Sequence, residues 1–237
     1  MVFSLLASST GGAALPSLCE VCRSWSDAAL CAACIARFAA PRPRCARCGL
    51  ALGVAATACG ACLRAPPPFE RTVCVADYGF PWDRLVADFK FHGRAERANL
   101  LAERLVWAVR QSHAPLPDTV AAVPMSAARL SQRGYNQAWE LARRVAAALA
   151  LPASATLLVR PVDAAHQIEL GRAERQHNLR NAFMVDPAQR SALRGRRLAV
   201  VDDVMTTGAT AHAAAEALLR AGAAAVDVWV VARTPER

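Results

Sequence analysis

The most constraining feature of the chain is the run Leu198-Ala199-Val200-Val201-Asp202-Asp203-Val204-Met205-Thr206-Thr207-Gly208-Ala209-Thr210. An apolar stretch delivers two adjacent carboxylates, and a short hydroxyl-bearing segment with one glycine then opens a helical pattern. In open α/β sheets, ligands sit beyond the carboxyl ends of the strands. The first turn of a helix carries unsatisfied N–H groups and partial positive charge, so it can hold a phosphate. Thr206, Thr207 and Thr210 add hydroxyl donors, while Gly208 lets the backbone approach closely. A carboxylate pair would repel a bare phosphate. Its presence here points to a ligand that also offers hydroxyls, which ionised Asp accepts from, together with a hard divalent cation such as Mg2+.

The rest of the chain supplies a matching frame. Thr72 to Tyr78, Thr119 to Val123, Arg197 to Val201 and Val226 to Ala232 read as strands. Trp82 to His92, Glu96 to Ser112, Asn136 to Leu149 and Ala209 to Ala221 read as helices with one apolar face. Strands alternating with helices predict an α/β fold with a largely parallel sheet. Residues 160–182 are polar and weakly periodic, which predicts an excursion from the core.

The acid pair and the loop after it resemble the PRPP signature of type I phosphoribosyltransferases. That resemblance implies that Asp202 and Asp203 meet the ribose hydroxyls and that Thr206, Thr207, Gly208, Ala209 and Thr210 hold the 5′-phosphate. Two further segments resemble the ComF family within that fold. Pro124 to Gln137 reads PMSAARLSQRGYNQ, with RGxNQ after a strand-ending proline. His166 to Phe183 carries Gln167, Leu170, Arg175, Asn178, Ala182 and Phe183 at the family's spacing, and Phe89-Lys90-Phe91-His92-Gly93 is similar to its FKxxG segment. The resemblance implies that Met125, Ser126, Arg129 and Arg133 face pyrophosphate. It places Gln167, Arg175 and Asn178 in a flexible hood over the substrate. Lys90 reads equally as a phosphate ligand or as a side chain snorkelling off its helix.

Eight of nine cysteines form four CxxC pairs: Cys19/Cys22, Cys31/Cys34, Cys45/Cys48 and Cys59/Cys62. Tetrahedral Zn2+ needs two such pairs, so eight thiolates suit two structural zinc ions in a double zinc ribbon. Sequential pairing is expected because the intervening segments are short, with crossed pairing as the alternative, and iron–sulfur is the alternative to zinc. Cys74 stands outside the pairs and reads as a buried apolar residue. The change in character at Pro66-Pro67-Pro68 suggests a zinc module over residues 1–68 and a phosphoribosyltransferase domain over 69–237.

Charge adds a partner class without choosing among its members. The net charge is +9, and of the 28 basic residues only Lys90 is lysine. Arginine pairs bidentately with phosphate, so polyphosphate ligands and nucleic acid both fit. Trp25 and Phe38 could stack bases, although in so small a module they are expected to form its core. A signal peptide and a membrane span are both unsupported by the pattern, and CxxC pairs used for metal suggest a cytoplasmic protein. The resemblance implies PRPP as ligand and pyrophosphate displacement by an unidentified acceptor. The alternatives are a competence-associated protein handling single-stranded DNA, alone or with competence helicase machinery, and a PRPP sensor without turnover.

Overall fold

The longest fully buried strand in the computed structural model is Ala225–Arg233, in which all nine residues are buried. Such a continuously buried run suits a strand covered on both faces. The structure describes residues 17–54, 56–91, 94–160 and 182–236. By compactness the chain groups as residues 1–39 and 40–237. The second cysteine cluster therefore falls in the same unit as the sheet, and the composition change at Pro66-Pro67-Pro68 lies inside that unit.

In the first unit, β1 (Ser17–Leu18) and β2 (Trp25–Ser26) form an antiparallel hairpin, followed by α1 (Ala32–Phe38). Cys31 caps this helix, its sulfur accepting from Cys34 N–H. Trp25 is 74% exposed, so it is not a core residue of the module as its aromatic character suggested.

The second unit opens with a cysteine knuckle and α2 (Gly60–Arg64), then β3 (Arg71–Asp77), α3 (Trp82–Phe91) and α4 (Arg97–Gln111). Next come β4 (Thr119–Ala122), α5 (Ala127–Arg133), α6 (Gln137–Ala148) and β5 (Ala153–Ser154). A small antiparallel pair, β6 (Leu158–Val159) and β7 (Met184–Val185), precedes β8 (Arg197–Met205), α7 (Ala209–Arg220) and β9 (Ala225–Arg233). Five strands make one parallel sheet in the order β3-β9-β8-β4-β5.

That order dictates where the helices go. From β4 the chain crosses outward to β5, and from β8 it crosses the opposite way to β9. Right-handed crossovers then put α6 and α7 on opposite faces. Accordingly α4 and α6 pack together against the sheet. The other core layer combines Leu198, Val200, Val226, Val228 and Val230 with Ala211, Ala214 and Leu218 of α7. Alternate strand residues thus serve opposite layers. The chain reverses its winding between β4 and β8, and their carboxyl ends diverge there into a crevice.

Candidate functional site

The crevice is a cleft of about 460 Å3 lined by residues following β4, by α3, and by the end of β8. It brings together Asp202, Asp203 and Thr210 with Met125, Ser126, Arg129, Arg133 and Lys90. Arg160 and Phe183 also line it, and the sequence pattern alone does not single out either as a site residue. Gln167, Arg175 and Asn178 lie outside the described residues.

The acid pair is not at the end of its strand, as the hydrophobic run suggested. β8 pairs with β4 only as far as Val201, but with β9 as far as Met205. Asp202 and Asp203 emerge where one neighbour has ended and the other still holds the backbone. Asp202 Oδ1 accepts from Asp203 N–H at 2.8 Å. Burial, and then the charge of Asp203, push the Asp202 carboxyl up to about 7. Asp203 is buried, and its Oδ1 lies 2.7 Å from Lys90 Nζ. Its other oxygen, Oδ2, is buried with no hydrogen-bond partner among the described residues. An orphaned acceptor beside a carboxyl that resists ionisation needs a donor or a cation from outside. Ligand hydroxyls and a hydrated divalent ion both fit that need.

The loop after the pair turns on Gly208, whose φ of +83° is the left-handed conformation that glycine adopts without penalty. Gly208 caps α7, and Thr207 Oγ1 accepts from Ala209 N–H at 3.3 Å. Thr206, Gly208, Ala209 and Thr210 border a small cavity with Asp202. Thr207, Gly208 and Ala209 also border a groove of about 540 Å3 that reaches Cys48, Cys59 and Cys62.

Much of the RGYNQ segment builds structure. Asn136 caps α6, accepting from Ala138 and Trp139 N–H, and its amide donates to Val123 O at 3.1 Å. The Tyr135 hydroxyl donates to Phe89 O, which ties α3 to this loop. Arg133 donates to Gln137 Oε1 at 2.7 Å and stacks 5.1 Å from the Phe91 ring centroid. Arg129 is exposed at the cleft.

The cysteines form two groups, Cys19/Cys22/Cys31/Cys34 and Cys45/Cys48/Cys59/Cys62, each with all four sulfurs within 4.8 Å of one another. The pairing is sequential, as expected. Cys22 and Cys31 sulfurs are 3.7 Å apart, as are those of Cys48 and Cys59. Zn–S bonds of about 2.3 Å at tetrahedral angles require sulfurs about 3.8 Å apart, so the groups fit zinc. Backbone N–H groups of Cys34 and Cys48 point at the sulfurs of Cys31 and Cys45. Hydrogen bonds from Ser24 bring Cys22 down to about 6, whereas burial lifts Cys34 to about 12. A bound cation would let all four thiols of a group ionise together. Cys74 belongs to neither group; its thiol donates to Ala76 O at 3.0 Å, and burial raises it to about 11.

A parallel sheet with a switch-point cleft, an acid pair and a hydroxyl loop matches a phosphoribosyltransferase-type fold, and the two four-cysteine groups fit a double zinc ribbon. Sequence comparison narrows the class. The chain is 37% identical over 228 residues to DNA utilization protein YhgH of Salmonella typhi, covering 93% of this chain and 98% of the relative. It is 36% identical to the Escherichia coli K12 protein of the same name over 228 residues, with the same coverage of 93% and 98%. Competence protein F of Haemophilus influenzae is 33% identical over 195 residues, or 81% and 85% of the two chains. The chain belongs to the family of YhgH and Competence protein F. No protein-family model matches it. Among solved structures, glutamine PRPP amidotransferase from B. subtilis is similar at TM-score 0.40 and 23% identity, over 57% of this chain and 26% of that one. The protein TT1426 from Thermus thermophilus gives TM-score 0.35 and 16% identity, over 59% and 84%. Among the described residues, no helix is long and apolar enough to cross a membrane.

Proposed function

We propose that the chain binds PRPP with Mg2+ in the switch-point cleft and displaces pyrophosphate from it with an acceptor still to be identified, in the cytoplasm. The observation that carries this reading is the acid pair with its orphaned Asp203 Oδ2. Asp202 and Asp203 accept from the ribose hydroxyls. Thr206 to Thr210 offer N–H and hydroxyl donors to the 5′-phosphate, at the positive end of α7. Met125, Ser126, Arg129 and Arg133 take the pyrophosphate side, where arginine can neutralise charge that grows as the bond to the anomeric carbon breaks. Gln167, Arg175 and Asn178 are assigned to the hood on the resemblance alone. Bound Mg2+ would supply further charge neutralisation at pyrophosphate. The cleft positions groups and stabilises charge; among the described residues no side chain stands out as a general base.

Calorimetric titration of Mg-PRPP into the zinc-loaded protein and into an Asp202→Asn/Asp203→Asn variant tests the reading. Binding that the variant loses supports it, and no binding by the folded wild type refutes it. Binding without pyrophosphate release under any acceptor would recast the protein as a PRPP sensor.

A second reading, contact with single-stranded DNA, is favoured by Trp25, an exposed aromatic two residues after the exposed Arg23 in the first unit. The names of the relatives agree with it. Salt-dependent binding of an oligonucleotide that weakens in Trp25→Ala would support this role; equal binding by both proteins would remove it.

A further inference from the structure

The second cysteine cluster is built onto the sheet. Thr72 of β3 donates its N–H to Ala46 O at 2.9 Å and its hydroxyl to Arg47 O at 2.6 Å. Arg44 reaches Asp77 at 2.6 Å and Gly49 O at 3.0 Å. Gly49, at φ +71°, lies so close to the strand that a Cβ there would sit 2.9 Å from Thr72 Cγ2.

From the far end of β9 a single side chain joins this cluster to the loop after the acid pair. Arg233 is 6% exposed. Its Nε donates to the carbonyl of Cys48 at 2.9 Å. Its Nη1 donates to Thr234 O at 2.8 Å, to Met205 O at 3.3 Å and to Thr206 O. Among the described residues no carboxylate forms an ion pair with it, so carbonyls alone satisfy a buried charge. One of those carbonyls belongs to a residue of the second four-cysteine group, and another to the first residue of the phosphate loop. Losing the order of either partner leaves a buried guanidinium short of acceptors, which is costly.

We infer that Arg233 is a positioning residue that couples the second cysteine cluster to the phosphate loop. Metal held by Cys45, Cys48, Cys59 and Cys62 and an anion held by Thr206 to Thr210 therefore strengthen each other. The inference rests on the reading of that loop as an anion site. Where two bound ligands are coupled, each changes the affinity for the other by the same factor. The first cluster belongs to the other compact unit and serves as an internal reference.

The test is cysteine alkylation under a zinc chelator, read peptide by peptide in the zinc-loaded full chain, with no ligand, with Mg-PRPP and with inorganic phosphate. Saturating Mg-PRPP should slow alkylation of Cys45 to Cys62 by at least about fivefold, the lower end of ordinary coupling. It should leave Cys19 to Cys34 unchanged. Arg233→Met should lose this selective protection and bind Mg-PRPP at least about fivefold more weakly, since the same factor acts in both directions. Arg233→Lys, which keeps the charge but lacks the two-sided fork, should fall between and guards against a misfolded methionine variant. Direct chelation of zinc by the ligand would act alike on wild type and variants. Protection of the second cluster that persists in both variants overturns the coupling, as does binding with no protection at all. Should Mg-PRPP fail to bind while phosphate protects through Arg233, the coupling stands and the PRPP reading falls. Protection by neither ligand overturns the coupling.

Discussion

Replacing Lys90 with methionine keeps an unbranched stem one atom shorter and removes the charge from beside Asp203. The pair is 2.7 Å apart, with side-chain exposures of 20% for Lys90 and 4% for Asp203. Breaking a fully buried pair costs about 3–5 kcal/mol, and losing a charged hydrogen bond about 1.5–3 kcal/mol. The cleft admits water at Lys90, which places the loss nearer about 2 kcal/mol on the second scale. For a unit of this size that lowers the melting temperature by about 4–8 °C. Asp203→Asn should cost less, because Lys90 can turn its amine into the cleft. In Lys90→Met/Asp203→Asn the losses should fall short of their sum by about 1–2 kcal/mol, the mark of a direct contact. Differential scanning calorimetry of the four zinc-loaded proteins measures the cycle. A Lys90→Met protein melting within about 1 °C of wild type, or strictly additive losses, would refute the reasoning.

Gly49→Ala forces a Cβ to 2.9 Å from Thr72 Cγ2 at φ +71° and should cost about 1–3 kcal/mol, with loss of zinc from the second cluster. Gly53→Ala, with nothing within 4 Å, is the control; metal content and melting temperature compare the two. Because the Asp202 carboxyl lies up at about 7, Mg-PRPP affinity should rise with pH through that region, as the ligand favours the ionised form. Calorimetry should find that increment absent in Asp202→Asn. The same raised carboxyl binds protons more tightly in the folded chain than in the unfolded one. Its contribution to stability therefore declines as pH rises from the ordinary carboxylate range to about 7. Chelation of zinc should open residues 19–62 to limited proteolysis before the sheet is cut, and mass mapping that shows no new cleavage there would contradict a structural role for the metal.

Where apolar periodicity was strong, the sequence was enough. The helices over Arg97–Gln111 and Gln137–Ala148 and the strands over Arg71–Asp77 and Ala225–Arg233 lie within a residue or two of the expected bounds. The short segments between the cysteine pairs favoured sequential over crossed pairing, and the two clusters bear that out. The helix Ala127–Arg133 escaped notice because it is polar and contains no buried residue. β8 outran its apolar stretch because pairing with β9 carries the backbone past two carboxylates, a tertiary effect invisible locally. Grouping of the second cluster with the sheet also comes from distant partners, Thr72, Asp77 and Arg233. Arg233 gave no signal at all: an arginine near a strand end is ordinary until its acceptors are known.

The position of Ala225–Arg233 between Arg71–Asp77 and Arg197–Met205 has a consequence for how the chain comes into being on the ribosome. The earliest strand of the sheet is made 156 residues before the last residue of its sole sheet neighbour (233 less 77). At about 5–20 residues per second, that leaves Arg71–Asp77 waiting roughly 8–31 seconds for its partner. During that interval its outer edge can already be covered, since the knuckle whose Ala46 O accepts from Thr72 N–H precedes it in the chain. Zinc captured early by Cys45 to Cys62 would thus act as a guard on an unpaired strand edge while translation runs on.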